Sequence, residues 1–163
     1  MDWAHAQRHI GDAQQAIGEM MGDPGMLKKS LKSYNSALRE YSVSCNGPCY
    51  SAAQVSVGHA LISLSYFEIN GGHLEAAIDA FQEALKASDR RIRPSEWADV
   101  QASLGRAYYE IGMRNGDPEY LEGAVASFRL ALMEKDRQLD PRDWATTQSD
   151  LGVVLSSLGN LVD

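Results

Sequence analysis

One period governs this sequence. Gly11, Gly58, Gly105 and Gly152 stand 47 residues apart, and so do Gln7, Gln54, Gln101 and Gln148. Trp3, Tyr50, Trp97 and Trp144 keep the same step. Leu27, Leu74 and Leu121 follow it, as do Leu31, Ile78 and Val125, then Tyr34, Phe81 and Phe128. Ala37, Ala84 and Ala131 agree, and so do Leu38, Leu85 and Leu132. Many registers in phase without a slip mean an internal repeat, and a repeat of this length means stacked supersecondary units that bury their apolar faces on one another. The 163 residues hold three full repeats, about 1–46, 47–93 and 94–140, and half of a fourth over 141–163. That length suits one domain, with a continuous ribbon of core in place of a central one.

Each repeat carries two apolar stripes of helical period. In the third, Pro94 suits a first helical turn, where its missing N–H costs nothing. Trp97, Val100, Leu104, Ala107, Tyr108 and Ile111 then follow three- and four-residue steps. Asn115-Gly116-Asp117-Pro118 breaks that stripe, with Asp117 as N-cap and Pro118 at the first helical position. A second helix follows with Leu121, Ala124, Val125, Phe128, Ala131 and Leu132 on one face, and fades near Gln138. The first repeat predicts helices over about 2–20 and 24–41, separated by Gly22-Asp23-Pro24; the second places Asn70 at the corresponding cap. The last segment reads as one helix from Pro141 to about Leu158. The expectation is an all-α chain of seven helices, A and B three times and a final A, with no alternating pattern long enough for a strand. The recurring glycine sits mid-helix, where it costs roughly 1 kcal/mol against Ala. Repeating that cost at one register implies a close crossing that a side chain would block.

The net charge of −7 and pI of about 5.0 argue against a nucleic-acid partner, which needs clustered Lys and Arg. No window approaches 18 consecutive apolar residues, so no membrane span is expected. The N-terminus lacks the charged and apolar regions of a signal peptide, and a cytoplasmic location is expected. Both ends read as cuts inside a longer array, or as those of a short protein without ordinary polar caps.

These residues resemble the tetratricopeptide repeat, whose signature is W-x2-L-G-x2-Y, then A-x3-F, then P. The third repeat supplies Leu104-Gly105-x-x-Tyr108, Ala124-x-x-x-Phe128 and Pro141; the second supplies Gly58-x-x-Leu61, Ala77-x-x-x-Phe81 and Pro94. The unit is longer than the family's usual 34 residues, with the excess around 113–120 and 135–140. Gln101 takes the family's Trp position, with the aromatic one turn earlier at Trp97. The long form, opening Trp-Ala-x-x-Gln-x-x-Leu-Gly, resembles long-repeat bacterial arrays. A period of 47 also fits HEAT or armadillo arrays, which lack the Leu-Gly-x-x-Tyr and Ala-x-x-x-Phe pairings.

The resemblance implies a right-handed α-solenoid of antiparallel hairpins, with A helices lining a concave groove for a peptide or helix of a partner protein. Carried across by register, the groove would present His5, Arg8, His9, Asp12 and Gln15 in repeat one. Repeat two would add Val55, Ser56, His59, Ile62 and Ser63, and repeat three Asp99, Ser103, Arg106, Tyr109 and Glu110. The final helix would add Thr146, Ser149, Asp150 and Val153. The Lys/Asn clamp that chaperone-binding members close on a C-terminal carboxylate is not reproduced.

Residues with chemistry of their own are few. Cys45 and Cys49 lack the second pair that a zinc site needs, and two reduced thiols are the favoured reading over a disulfide. His5 and His9 are one turn apart, a chelating spacing, but only Asp12 stands near to complete a site. Arg90-Arg91-x-Arg93 reads as loop decoration. No P-loop, GxGxxG, HExxH or local nucleophile signature occurs, so neither an enzyme nor a cofactor or metal site is expected. The leading expectation is a protein-interaction module. The alternative is a structural or regulatory arm that self-associates through an uncapped last helix, whose Val153, Val154, Leu155, Leu158, Leu161 and Val162 form an apolar face.

Overall fold

The structure, a computed structural model, describes residues 2–44, 47–69 and 71–162. The described residues form seven α-helices and no strand. They are α1 (Asp2–Met21), α2 (Pro24–Ser44), α3 (Pro48–Ser65), α4 (His73–Ala87), α5 (Pro94–Asn115), α6 (Pro118–Glu134) and α7 (Pro141–Val162). All five prolines of the chain open a helix, the position where the ring fits and no hydrogen bond is lost. The stops are equally local. Gly116 ends α5 in the left-handed region at φ 65°, and Asp117 caps α6 by accepting the Glu119 N–H.

Four boundaries differ from the sequence expectation. α2 runs to Ser44, beyond position 41. α4 begins at His73 behind Gly72, itself left-handed at φ 64°; Asn70, the expected cap, lies outside the described residues. α6 ends at Glu134, short of Gln138, because Lys135 turns extended and the Asp136 carboxylate accepts the N–H groups of Gln138 and Leu139. α7 runs to Val162, beyond Leu158.

The chain divides into two compact units, 1–88 and 89–163. In the first, α1 packs on α2, α2 on α3 and α3 on α4. In the second, α5 packs on α6 and α6 on α7. Within a hairpin the helices run antiparallel: Gly11 meets Tyr34 and Gly18 meets Leu27, so progress along α1 is retreat along α2. The same order holds between Gly105 with Phe128 and Gly112 with Leu121.

These contacts explain the repeated glycine. A Cβ built on Gly11 would stand 2.5 Å from Tyr34, and one on Gly58 2.5 Å from Phe81. At Gly105 it would meet three ring atoms of Phe128 at 3.1 Å. Each aromatic is buried to within 1 %, a knob that only an unsubstituted helix surface admits. A second small register, Gly18 and Gly112, receives Leu27 and Leu121 in the same way. Around these joints the first unit buries Ala4, Ala37, Tyr41 and Ala53 in one cluster and Tyr34, Val57, Ala60 and Ala80 in another. The second unit buries Ala98, Ala102, Leu121, Val125, Phe128, Leu151 and Val154 together. Val154 is 1 % exposed and Leu158 packs against the same cluster, which corrects their assignment to an open apolar face. On α7 that face is narrower, with Val153, Leu155 and Leu161 exposed.

Candidate functional site

In each unit two A helices stand side by side, α1 with α3 and α5 with α7. The side chains assigned by register to a binding face lie on these helices.

In the first unit Asp12 is the hub. Its Oδ2 takes Arg8 Nη1 at 3.3 Å and lies 3.4 Å from His9 Nδ1, while Oδ1 accepts the Tyr34 hydroxyl at 3.0 Å. Tyr34 belongs to α2, so its ring passes the Gly11 notch and delivers its hydroxyl to the A-helix side. There Gln15 Oε1 is a second acceptor at 3.0 Å, and Ser56 of α3 also bonds the phenol. Burial first, then the Asp12 charge and hydrogen bond, hold the Tyr34 proton well above the ordinary phenol range. Farther along, Ser63 donates to Glu19 at 2.6 Å and ties α3 to α1. Val55 and Ile62 are half-buried. His59 is exposed and sets its ring edge-on to Phe81 at 5.4 Å.

His5 and His9 do not converge. The His5 ring packs edge-on against Tyr41, with Nε2 3.9 Å from Cys49 Sγ, whereas His9 turns to Asp12. Among the described residues no group of three or more His, Cys, Asp or Glu could hold a metal ion. Cys49 is half-buried in the first turn of α3, and Cys45 lies outside the described residues.

In the second unit the A-helix pair surrounds a recess of about 200 Å³, lined by Asp99, Ala102, Ser103, Arg106, Lys135, Asp143, Thr146 and Thr147. Four of these, Asp99, Ser103, Arg106 and Thr146, are among the positions for which the resemblance, carried across by register, implies a binding face. At its base lies Lys135, whose side chain is only 7 % exposed. The ammonium pairs with Asp99 at 2.6 Å and sits 3.7 Å from Asp143, so two carboxylates from two helices balance it. At the rim Arg106 Nε donates to Asp150 at 2.9 Å, joining α5 to α7. Ser103 is 7 % exposed, so it supplies floor, not reach. Tyr109 is half-buried and packs against the core of the unit. A drug-sized ligand needs roughly 300–1,000 Å³; this recess admits one side chain.

Lys135 had no sequence signal, because the registers before it hold Ser88 and Tyr41. Nor was the role of the landmark aromatic legible. Arg90 lies 4.6 Å over the Trp97 ring and Arg137, 47 residues on, 5.1 Å over Trp144. Arg90 also pairs with Glu134, Arg91 with Asp89 and Arg93 with Glu96. The basic triplet expected as loop decoration is therefore engaged within its own unit. No helix of the described residues is long and apolar enough to cross a membrane. No protein-family model matches the chain, and no curated protein matches it.

Proposed function

We propose that this chain is a protein-interaction module of the tetratricopeptide kind, in which paired A helices bind an extended segment of a partner protein. The observation that carries this reading is the recess between α5 and α7. Asp99, Ser103, Arg106 and Thr146, for which the tetratricopeptide resemblance, carried across by register, implies a binding face, line one concave, polar, charge-bearing surface, while the apolar stripes of the same helices are spent on the core. Its volume suits one polar side chain of a peptide. The ion pairs Asp99–Lys135 and Arg106–Asp150 offer both signs of charge at its edge, which favours register and selectivity over raw affinity. The Asp12 hub and the half-buried Val55 and Ile62 of the first unit supply a second contact surface of the same kind.

A displayed library of random linear peptides tests the reading. The baits are the wild-type chain and a variant carrying Arg106→Glu and Thr146→Arg, both exposed positions on the recess. Peptides enriched on the first and lost on the second are the expected result. Enrichment equal on both baits, or none above a bait-free control, overturns binding at this surface.

A further inference from the structure

The base of the recess between α5 and α7 holds a donor and an acceptor that do not satisfy each other. Lys135 is buried there with its charge, and an ammonium has three N–H donors. One goes to Asp99 at 2.6 Å, whereas Asp143 at 3.7 Å stands beyond hydrogen-bond reach. The ammonium therefore keeps donor capacity toward the recess. The Asp143 side chain is 53 % exposed and keeps its carboxylate oxygens as acceptors. Thr146 and Thr147 add no donor, because their hydroxyls already donate to the carbonyls of Arg142 and Asp143 one turn back.

Charge decides which side chain of a peptide suits this base. The lining carries Asp99 and Asp143 against Lys135 and Arg106, so its formal charges cancel. A carboxylate entering it would gain Lys135 but stand against both aspartates. An ammonium or guanidinium would gain the aspartates but stand against Lys135, which already lies between them. Either brings an uncompensated charge into a partly buried site. An apolar side chain would cover the Lys135 donors and give them no acceptor. A hydroxyl would have to serve donor and acceptor from one oxygen. A carboxamide is neutral and carries an acceptor oxygen and two N–H donors in one plane. We propose that the recess takes the side chain of a Gln or Asn residue of the bound peptide, its amide oxygen accepting from Lys135 Nζ and its amide N–H donating to Asp143. This rests on peptide binding in the recess and adds the identity of the anchoring residue. Asp143 is then the residue that tells an amide from a carboxylate, since it faces the one group in which Gln and Glu differ.

The probes are displayed libraries of short peptides with one fixed central residue, Gln, Asn, Ser, Glu, Lys or Leu, and flanks randomised over residues outside that set. Each is selected on the full chain, on the Arg106→Glu, Thr146→Arg variant and on Asp143→Ala. Asp143 is exposed and Lys135 keeps Asp99, so Asp143→Ala retains the fold, which a circular-dichroism melt verifies. On the wild-type chain the Gln or Asn library should be enriched about tenfold or more over the Ser, Glu, Lys and Leu libraries, and the double variant should lose that enrichment. On Asp143→Ala the preference should move from Gln to Glu, because the carboxylate then meets Lys135 with one opposing charge fewer. A merely structural Asp143 would weaken every library alike. Enrichment that depends on the recess but favours Ser, Glu, Lys or Leu as much as the amides overturns the proposal and leaves peptide binding there standing. An amide preference that Asp143→Ala does not move toward Glu also overturns it. No enrichment that the double variant abolishes, in any library, overturns both the anchor and peptide binding in the recess.

Discussion

The ring of Phe81 stands over Gly58 with its atoms 2.5, 2.6 and 2.9 Å from the point a Cβ would occupy. Phe81 is fully buried, so the ring has no open space into which to withdraw. Glycine at this register is therefore fixed by its partner helix and not by its own backbone.

Alanine at the glycine register should act with opposite sign at the two ends of the series. Gly58→Ala gains up to about 1 kcal/mol of helix propensity but overpacks the crossing, at a cost of about 1–3 kcal/mol, and should lower the urea midpoint. Gly152→Ala meets nothing within 4 Å, keeps the propensity gain and should raise it. The same sign at both sites contradicts the knob-and-notch account.

Tyr34→Phe should be mild near neutral pH and visible in alkali. Phe81 and Phe128 show that a phenyl ring fits the register. The lost hydroxyl removes hydrogen bonds worth about 0.5–1.5 kcal/mol. Folding raises the affinity of Tyr34 for its proton. Its contribution is thus full below the unfolded phenol value of about 10 and is lost as pH rises beyond that toward the folded value. Urea titrations from pH 8 to 11 should show a steeper alkaline decline for wild type than for Tyr34→Phe; parallel declines remove Tyr34 from the account.

Glu68 should contribute on the acid side. Its carboxylate, just beyond α3, meets Lys28 of α2 at 2.5 Å and His73 at the start of α4 at 3.0 Å. The Lys28 hydrogen bond, then that from His73, holds it below the usual carboxylate range. A depressed value means stability that is present above the unfolded value, about 4.3, and lost as pH falls through the folded one. Glu68→Gln should lower the thermal midpoint at pH 6, with the gap to wild type closing toward pH 3. A gap independent of pH would show that the bridge contributes through shape alone.

Arg106 and Asp150 should couple weakly. Both are solvent-accessible, and such pairs contribute about 0.2–1 kcal/mol. A double-mutant cycle with Arg106→Ala and Asp150→Ala should return a coupling in that range, reduced in 1 M NaCl, where the screening length falls to about 3 Å. A coupling well above the range, or one insensitive to salt, would mark the pair as structural instead of a rim contact.

The sequence carried the helix order because its punctuation is local. Pro24, Pro48, Pro94, Pro118 and Pro141 open helices, and Gly116 closes one, through backbone constraints that neighbours do not alter. Hairpin pairing was legible for a related reason: Gly105 and Phe128 recur in one register, and each explains the other. What remained hidden depends on what lies beside a helix. Val154 and Leu155 are adjacent and equally apolar in sequence, yet about 100° apart around α7; one joins the core and the other faces outward. Lys135 was unreadable because no register repeats it, and its burial follows from Asp99 and Asp143 converging from separate helices.

The notch and its knob lie in one hairpin. Gly11 with Tyr34, Gly58 with Phe81 and Gly105 with Phe128 are each 23 residues apart. A genetic crossover at any inter-repeat loop would therefore carry every lock away with its own key. Gain or loss of a 47-residue module would leave each such crossing intact, so the gene could change the number of its hairpins without redesigning the joint inside any of them.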